Sequence, residues 1–304
     1  MWKKLKSYLI LIILLISLLY TLINSQGIMQ EVLQSLNIFI TKLFPALFFF
    51  FILGDLLINY KFINILEKVF NPILKKVYHI GGCSSFVIIM SMFSGFPSGS
   101  KYINSLIDKN SLSYDIGNYL LIFTHFSNPI FILGTISSIL NKNIALKILI
   151  AHYLANFIIA FIVRPKKLAD ASFVPLKPTD FTTCLSNSIK DTSKLLLFIL
   201  GNSIFFNCIC NILTSSLKNT IILAIINGLF DLTKGVISVA SLNNSLIFKS
   251  ILITTFLSFG GINVHLQVKN IIKQKRKLKY KNFLLGRICQ TAISLIILLT
   301  IYSI

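Results

Sequence analysis

Acidic residues and catalytic signatures are both scarce in this sequence. Only nine Asp and Glu stand against 29 Lys and Arg among 304 residues, which leaves few groups for general acid–base chemistry. No phosphate-binding glycine loop, HExxH zinc helix or nucleophile elbow is found. The five cysteines have neither metal-ligand spacing nor a disulfide framework, so they are interpreted as small core residues. We therefore expect a protein that is not an enzyme and that uses no metal or other cofactor.

Charge of either sign is also sparse. Charged residues make up 12% of the chain and hydrophobic residues 55%, whereas soluble domains are about one-quarter charged. This composition predicts an integral membrane protein. The basic residues lie in clusters between apolar runs instead of forming one basic face, which argues against nucleic-acid binding. The polar segments are short, so a structural or assembly protein with large soluble surfaces is the weaker alternative.

Seven apolar stretches are long enough for a bilayer crossing, which takes about 20 residues. Two further apolar pieces, 82–109 and 219–242, carry a polar, glycine-containing break between arms of about a dozen residues, which reach only half-way through a bilayer. These two pieces are predicted to be re-entrant hairpins. The seven stretches, of which the third and the sixth are interrupted, are 8–24, 38–59, 116–140, 144–163, 195–213, 246–267 and 284–303.

The basic residues are distributed unequally between the two sides of this layout. With the N-terminus in the cytoplasm, 21 Lys and Arg, including Arg287, fall on the cytoplasmic side and four on the other, as the positive-inside rule requires. Residues 1–35 lack a small-residue cleavage site, so an uncleaved anchor helix is favoured over a signal peptide. The basic, amphipathic segment 62–78 is predicted to lie on the cytoplasmic membrane surface, in contact with lipid.

The linker 164–180 separates two halves that repeat the same order of elements. Each half has a span, a hairpin, an interrupted span and a final span, which gives domains at 36–167 and 168–304. The hairpin tips "GFPSGSK" and "GLFDLTK" match at three positions. Because the halves enter the membrane from opposite sides, the predicted fold is an all-α, inverted-repeat, transporter-like membrane protein. The matched pairs are Gly95 with Gly228, Ser100 with Thr233, and Lys101 with Lys234.

A substrate site is predicted where the hairpin tips and the interrupted spans meet. Ionisable groups within a membrane are costly and indicate function, so Lys101 and Lys234 are expected to face one cavity and bind an anion. The alternative is that both lysines extend to an interface along their flexible stems. The other expected substrate contacts are Ser98, Gly99, Ser100, Ser127, Asn128, Thr233, Asn263 and Gln267.

Three residues are candidates for binding a coupling ion. Asp231 lies three residues before Lys234, so it either forms an ion pair with that lysine or binds a proton or Na⁺. His125 and His265 lie beside the interrupted spans, where they either relay protons or pack as hydrogen-bonded side chains. The sequence leaves these alternatives open.

Several motifs resemble one known family in the same order along the chain, from about residue 36 to the end. The chain is similar to the YlbJ-type sporulation integral membrane proteins (stage V sporulation protein V), which carry the nucleoside-recognition Gate repeat. The stretch "LFDLTKGVISVA" resembles the family more loosely, so no role for Asp231 is carried over. The motifs are "KLFPALFFFFILGDLL", "SGFPSGSK", "FSNPIFILGT", "AHYLANFIIAFIVRP" and "FGGINVHLQV".

The resemblance implies a location and a substrate. It implies the outer forespore membrane of an endospore former and movement of dipicolinic acid, a small aromatic dicarboxylate. The Gate repeat is similar to that of concentrative nucleoside transporters, which makes a nucleoside-type carrier the alternative. Proteins of this type often associate, so a homo-oligomer is left open. The residues by themselves predict only a site suited to an anion.

Overall fold

The computed structural model describes residues 2–167, 179–273 and 277–303, and these residues form helices without any β-strand. Most of the predicted linker, 168–178, lies outside them. Three π-helical segments, Phe39–Leu43, Leu74–Tyr78 and Phe131–Ile136, extend or connect the α-helices. The α-helices are α1 (Trp2–Ile23), α2 (Ser25–Ile38), α3 (Phe44–Asn59), α4 (Phe62–Ile73), α5 (Ser84–Ser94), α6 (Ser98–Asp108), α7 (Tyr114–Phe123), α8 (Ser137–Ile139), α9 (Lys142–Ile162), α10 (Phe181–Thr214), α11 (Thr220–Phe230), α12 (Leu232–Ala240), α13 (Leu246–Phe259), α14 (Gly261–Lys273) and α15 (Tyr280–Ser303).

Within the described residues, four helical stretches are long and apolar enough to cross a membrane: α9, α10, Leu246–Ile272 and α15. Two bent helix pairs raise the number to six if each pair is one span. The chain bends by 102° between α1 and α2 and by 88° between α3 and α4. The sequence predicts seven crossings. The count is lower because 116–140 divides into α7, a non-helical stretch and a π-helical segment, none of which reaches spanning length alone.

Two helical hairpins form where the sequence predicts them. The first hairpin is α5–α6, which turns at 95–97, and the second is α11–α12, which turns at Asp231. The second hairpin closes tightly because two glycines meet: a Cβ on Gly235 would lie 2.2 Å from the Cα of Gly228. A side chain at Gly235 would push the two arms apart, whereas a Cβ on Gly228 would lie 2.4 Å from the ring of Phe256 on α13.

The helical course of the chain is interrupted at two points. The first break, residues 124–128, follows α7 and precedes Pro129, and the second break, Gly260–Gly261, separates α13 from α14. Gly260 and Gly261 have φ angles of +94° and +67°, a region that side-chain-bearing residues rarely adopt. The sequence therefore predicts both interruptions correctly.

The helices pack in two groups that enclose the hairpin tips. Helix α10 packs along α2 and α3, whereas α15 packs against α7, α9 and α13. The first hairpin tip lies against the first break, since a Cβ on Gly99 would be 2.0 Å from the carbonyl oxygen of Thr124. This packing brings both tips and the residues at both breaks together beside α10.

Candidate functional site

A cavity of ≈70 Å³, lined by both apolar and polar side chains, lies between the two hairpin tips and the two breaks, and we call it the central cavity. Helix α10 and the segment from the first π-helix into α3 complete its wall. Its volume is below the roughly 300–1,000 Å³ of small-molecule pockets, so in this conformation it has room for water molecules only. Its polar lining is Lys42, Ser94, Ser127, Asn128, Ser203, Asp231, Thr233, Asn263 and Gln267.

Asp231 is the acidic residue that lines the central cavity. One carboxylate oxygen accepts the backbone N–H groups of Thr233, at 2.9 Å, and Lys234, at 3.1 Å, and so caps helix α12. The other oxygen accepts from the Asn263 amide at 2.7 Å and from the Ser203 hydroxyl at 3.4 Å. Because the Lys234 ammonium pairs with Glu31 instead, the ion pair with Asp231, which is one of the two alternatives left open by the sequence, is not formed. The carboxylate is held by neutral donors instead.

Asn128 presents an unused donor at this cavity. Its Oδ1 accepts the backbone N–H groups of Ile130, at 2.7 Å, and Phe131, at 3.4 Å, at the start of the following helical segment. These contacts fix the orientation of the side-chain amide. Its Nδ2 is buried and has no hydrogen-bond partner among the described residues, which is costly unless a ligand or water accepts from it.

Two of the substrate contacts predicted in the second half of the chain, Asn263 and Gln267, are linked to Asp231 by consecutive hydrogen bonds. The Gln267 amide donates to Asn263 Oδ1 at 3.0 Å, and Asn263 donates to Asp231. Both amides belong to the first turns of α14, directly after the second break, and Thr233 lines the cavity from the second hairpin. The structure thus brings five predicted residues to one place: Ser127, Asn128, Thr233, Asn263 and Gln267.

The two hairpin lysines do not share the central cavity, which differs from the expectation for an anion clamp. The ammonium of Lys101 lies 2.9 Å from Asp55 on α3, in a separate opening of ≈800 Å³ that we call the vestibule. The ammonium of Lys234 lies 2.7 Å from Glu31 on α2. Each lysine is drawn away from the tips because a carboxylate of α2 or α3 is within reach.

Three other predicted contacts build the first hairpin tip and do not line the cavity. The hydroxyl of Ser98 donates to the Gly95 carbonyl at 2.5 Å, and that of Ser100 donates to the Pro97 carbonyl at 3.1 Å. Gly99 permits the close contact with the first break described above. Their role in this conformation is to shape the turn.

The two candidate histidines are packed and hydrogen-bonded outside the central cavity. His125 Nε2 lies 3.3 Å from the Ser100 hydroxyl. His265 Nδ1 lies 2.7 Å from the Tyr280 hydroxyl, and its Nε2 lies 3.0 Å from the Phe259 carbonyl. Of the three candidates for ion coupling, only Asp231 reaches the cavity.

Sequence reasoning misses two buried residues behind the breaks. His152 accepts the backbone N–H of Ser127 at 2.9 Å through Nε2. Arg287, which the sequence places among the cytoplasmic basic residues, is fully buried on α15. Its position seven residues into an apolar helix was an available signal, because an ionisable residue inside a membrane segment indicates function.

The fold and the cavity define the class of this chain: a multi-pass integral membrane protein, helical throughout its described part, with an internal cavity that contains polar side chains. The chain is 26% identical over 290 residues to the sporulation integral membrane protein YlbJ of Bacillus subtilis (strain 168). The aligned region covers 81% of this chain and 71% of that protein. The similarity supports the YlbJ family of sporulation membrane proteins for this chain. No family model matches the chain, and no solved structure matches it.

Proposed function

We propose that the protein is a carrier that moves a small organic anion, dipicolinate, across the outer forespore membrane during sporulation, with its N-terminus in the cytoplasm. One observation carries the proposal: two hairpin tips and two helix breaks meet around a single cavity that contains several buried polar side chains. Carriers bind substrate at such a junction of interrupted helices. The similarity to a sporulation membrane protein supports the cellular setting.

The proposed architecture is an inverted repeat with two re-entrant hairpins. The order hairpin, interrupted helix and uninterrupted helix occurs as α5 to α9 and again as α11 to α15. Non-helical backbone at membrane depth is tolerated only where it is buried or lines a wet cavity, and both breaks adjoin the central cavity. The short, apolar α5 and α11 suit arms that enter the membrane without crossing it.

An anion at this site would be held by neutral donors and one cation. Asn128 Nδ2 lacks an acceptor, Ser127 and Thr233 line the same cavity, and Lys42 contributes positive charge at its wall. The Asp231 carboxylate would repel the anion. A proton or cation bound to Asp231 would remove this repulsion, and the movement of that ion would then be coupled to transport of the anion. The cavity must widen for the substrate to enter, as alternating access requires.

A second candidate is a nucleoside-type carrier. The observation that favours it is the amide-rich lining of Asn128, Asn263 and Gln267, together with the placement of both hairpin lysines outside the cavity. Amides pair with the donor and acceptor pattern of a nucleobase. This alternative predicts uptake of uncharged nucleosides and no competition by anions.

Uptake of labelled dipicolinate into proteoliposomes, with and without proton and sodium gradients, tests the proposal. We expect saturable uptake by the wild-type protein, inhibited by unlabelled dipicolinate and not by nucleosides. Asn128→Asp keeps the helix-capping oxygen but replaces the free donor with a carboxylate, so it should lose uptake. Asn141→Asp is the matched control, because Asn141 caps α9 through its Oδ1 at 2.9 Å from Ile144 N and lies away from the cavity. No uptake by the wild type would refute dipicolinate as the substrate.

A further inference from the structure

We infer that Arg287 is a positioning residue that holds both helix breaks in place from behind the central cavity. It is the largest fully buried side chain in the described part of the chain. It does not line the cavity, so any effect on a substrate passes through the backbone that it binds. The effect on transport rests on the carrier function proposed above, whereas the effect on the breaks does not.

The guanidinium spans the ends of two different helices. One nitrogen donates to the carbonyl oxygens of His125, at 2.8 Å, and Ser258, at 3.4 Å, and the other donates to the carbonyl of Ile122 at 3.2 Å. Ile122 lies in the last turn of α7, His125 lies in the first break, and Ser258 lies in the last turn of α13. The last carbonyls of a helix have no partner within the helix, and here Arg287 supplies one.

The positive charge of Arg287 is compensated without a carboxylate among the described residues. Within the described residues, every oxygen that its guanidinium contacts is neutral, including the amide oxygens of Asn156, at 3.2 Å, and Gln290. A buried cation without a carboxylate is costly. The C-terminal ends of α7 and α13 each carry partial negative charge, and both converge on Arg287. The two interrupted helices therefore provide the compensation that an acidic residue usually provides.

A second, independent feature holds α15 against the last turn of α7, next to the first break. A Cβ on Gly286 would lie 1.9 Å from the carbonyl oxygen of Ile122, so the backbones of α15 and α7 are in direct contact beside Arg287. The guanidinium also lies 5.8 Å from the ring centre of Phe96 at the tip of the first hairpin. Arg287 thus touches three of the elements whose ends surround the central cavity.

Arginine is the side chain that fits this task. Its planar, permanently charged guanidinium presents several N–H donors in a rigid fork, whereas a lysine ammonium is a compact point charge. We therefore expect Arg287→Lys to preserve the charge but to hold the two helix ends less well. Arg287→Gln removes the charge and most of the donors, and should release both breaks.

Hydrogen–deuterium exchange of the purified, membrane-reconstituted protein tests this inference without any substrate. In Arg287→Gln, amide protection in peptides covering 124–131 and 258–264 should fall about tenfold or more, since hydrogen bonds to charged groups are among the strong ones. Peptides from α10 should be unchanged, and Arg287→Lys should fall in between. Arg164→Gln is the matched control, because Arg164 donates to the Val77 carbonyl at 3.0 Å away from both breaks.

Unchanged exchange at the two breaks, or an equal increase along the whole chain including α10, would overturn the inference. If Arg287→Gln does not insert or fold, Arg287→Lys decides the question by the same comparison of the breaks with α10. In proteoliposomes, Arg287→Lys should lower Vmax/KM for dipicolinate about tenfold and Arg164→Gln should not. Faster exchange at the breaks with unchanged uptake would overturn the functional part alone. Absence of wild-type uptake would refute the proposed function and leave the exchange test intact.

Discussion

The ion pair between Lys234 and Glu31 links the second hairpin to α2, and its removal has a calculable effect. The two charged groups lie 2.7 Å apart, and their side chains are only 13% and 6% exposed. Loss of one partner from a buried pair costs about 3–5 kcal/mol, because the remaining charge stays desolvated. In Lys234→Met the Glu31 carboxylate keeps one donor, the Asn211 amide at 3.2 Å. We therefore expect a loss near the lower end, about 3 kcal/mol.

Removing both charges should reverse most of this loss. Replacement of a buried pair by neutral residues of similar size is often neutral or stabilising, so Lys234→Met combined with Glu31→Gln should lie within about 1 kcal/mol of the wild type. The measurement is reversible unfolding in mixed detergent micelles of the wild type, both single variants and the double variant. Lys249→Met is the control, since its ammonium is exposed and contacts the Ala240 carbonyl at 3.3 Å. If the losses of the two single variants add in the double variant, the described pairing is refuted.

The close contact at Gly286 predicts that Gly286→Ala lowers the free energy of unfolding by about 3 kcal/mol, because overpacking forces α15 away from the Ile122 carbonyl. In the control Gly201→Ala, the added Cβ meets no atom within 4 Å, so this change should be neutral or stabilising by up to about 1 kcal/mol. Equal thermal unfolding of the two variants would contradict the described packing. Asp180, at the start of α10, has a pKa below its usual value because the Thr182 hydroxyl and backbone N–H groups donate to its carboxylate. Its contribution is therefore present at neutral pH and lost as the pH falls through and below about 4. Thermal unfolding of Asp180→Ala should show a smaller decrease over that acidic range than the wild type, and an unchanged decrease would contradict this role.

Much of the backbone layout could be predicted because glycine and proline mark it locally. The turn at 95–97, the break before Pro129 and the break at Gly260–Gly261 all occur where these residues change the allowed dihedrals. The positions of the same glycines and prolines also predict hairpin arms of about a dozen residues. These features depend on neighbours in sequence, so a single sequence contains the information.

The partners of the charged residues could not be predicted, because they depend on packing between distant segments. Lys234 and Glu31 are 203 residues apart, and Lys101 and Asp55 are 46 apart. Nothing local indicates which face of α2 or α3 meets a hairpin. The sequence counts Arg287 on the cytoplasmic side for a related reason: the positive-inside rule counts basic residues near helix ends and does not distinguish one that turns inward.

The positions of the buried charged side chains determine what kind of ligand the central cavity can recognise. Lys101 and Lys234 are neutralised by acids of α3 and α2, Arg287 is compensated by two helix ends, and Asp231 is held by neutral donors. The polar part of the cavity wall therefore consists of amides, hydroxyls and the Asp231 carboxylate, with Lys42 as the cation that lines it, and the rest of the wall is apolar. A site of this kind discriminates by unpaired hydrogen-bonding groups more than by net charge, since a ligand that leaves a buried donor unsatisfied is rejected strongly. Selectivity for a dicarboxylate over other anions would then depend on how its oxygens match Asn128 and its neighbours.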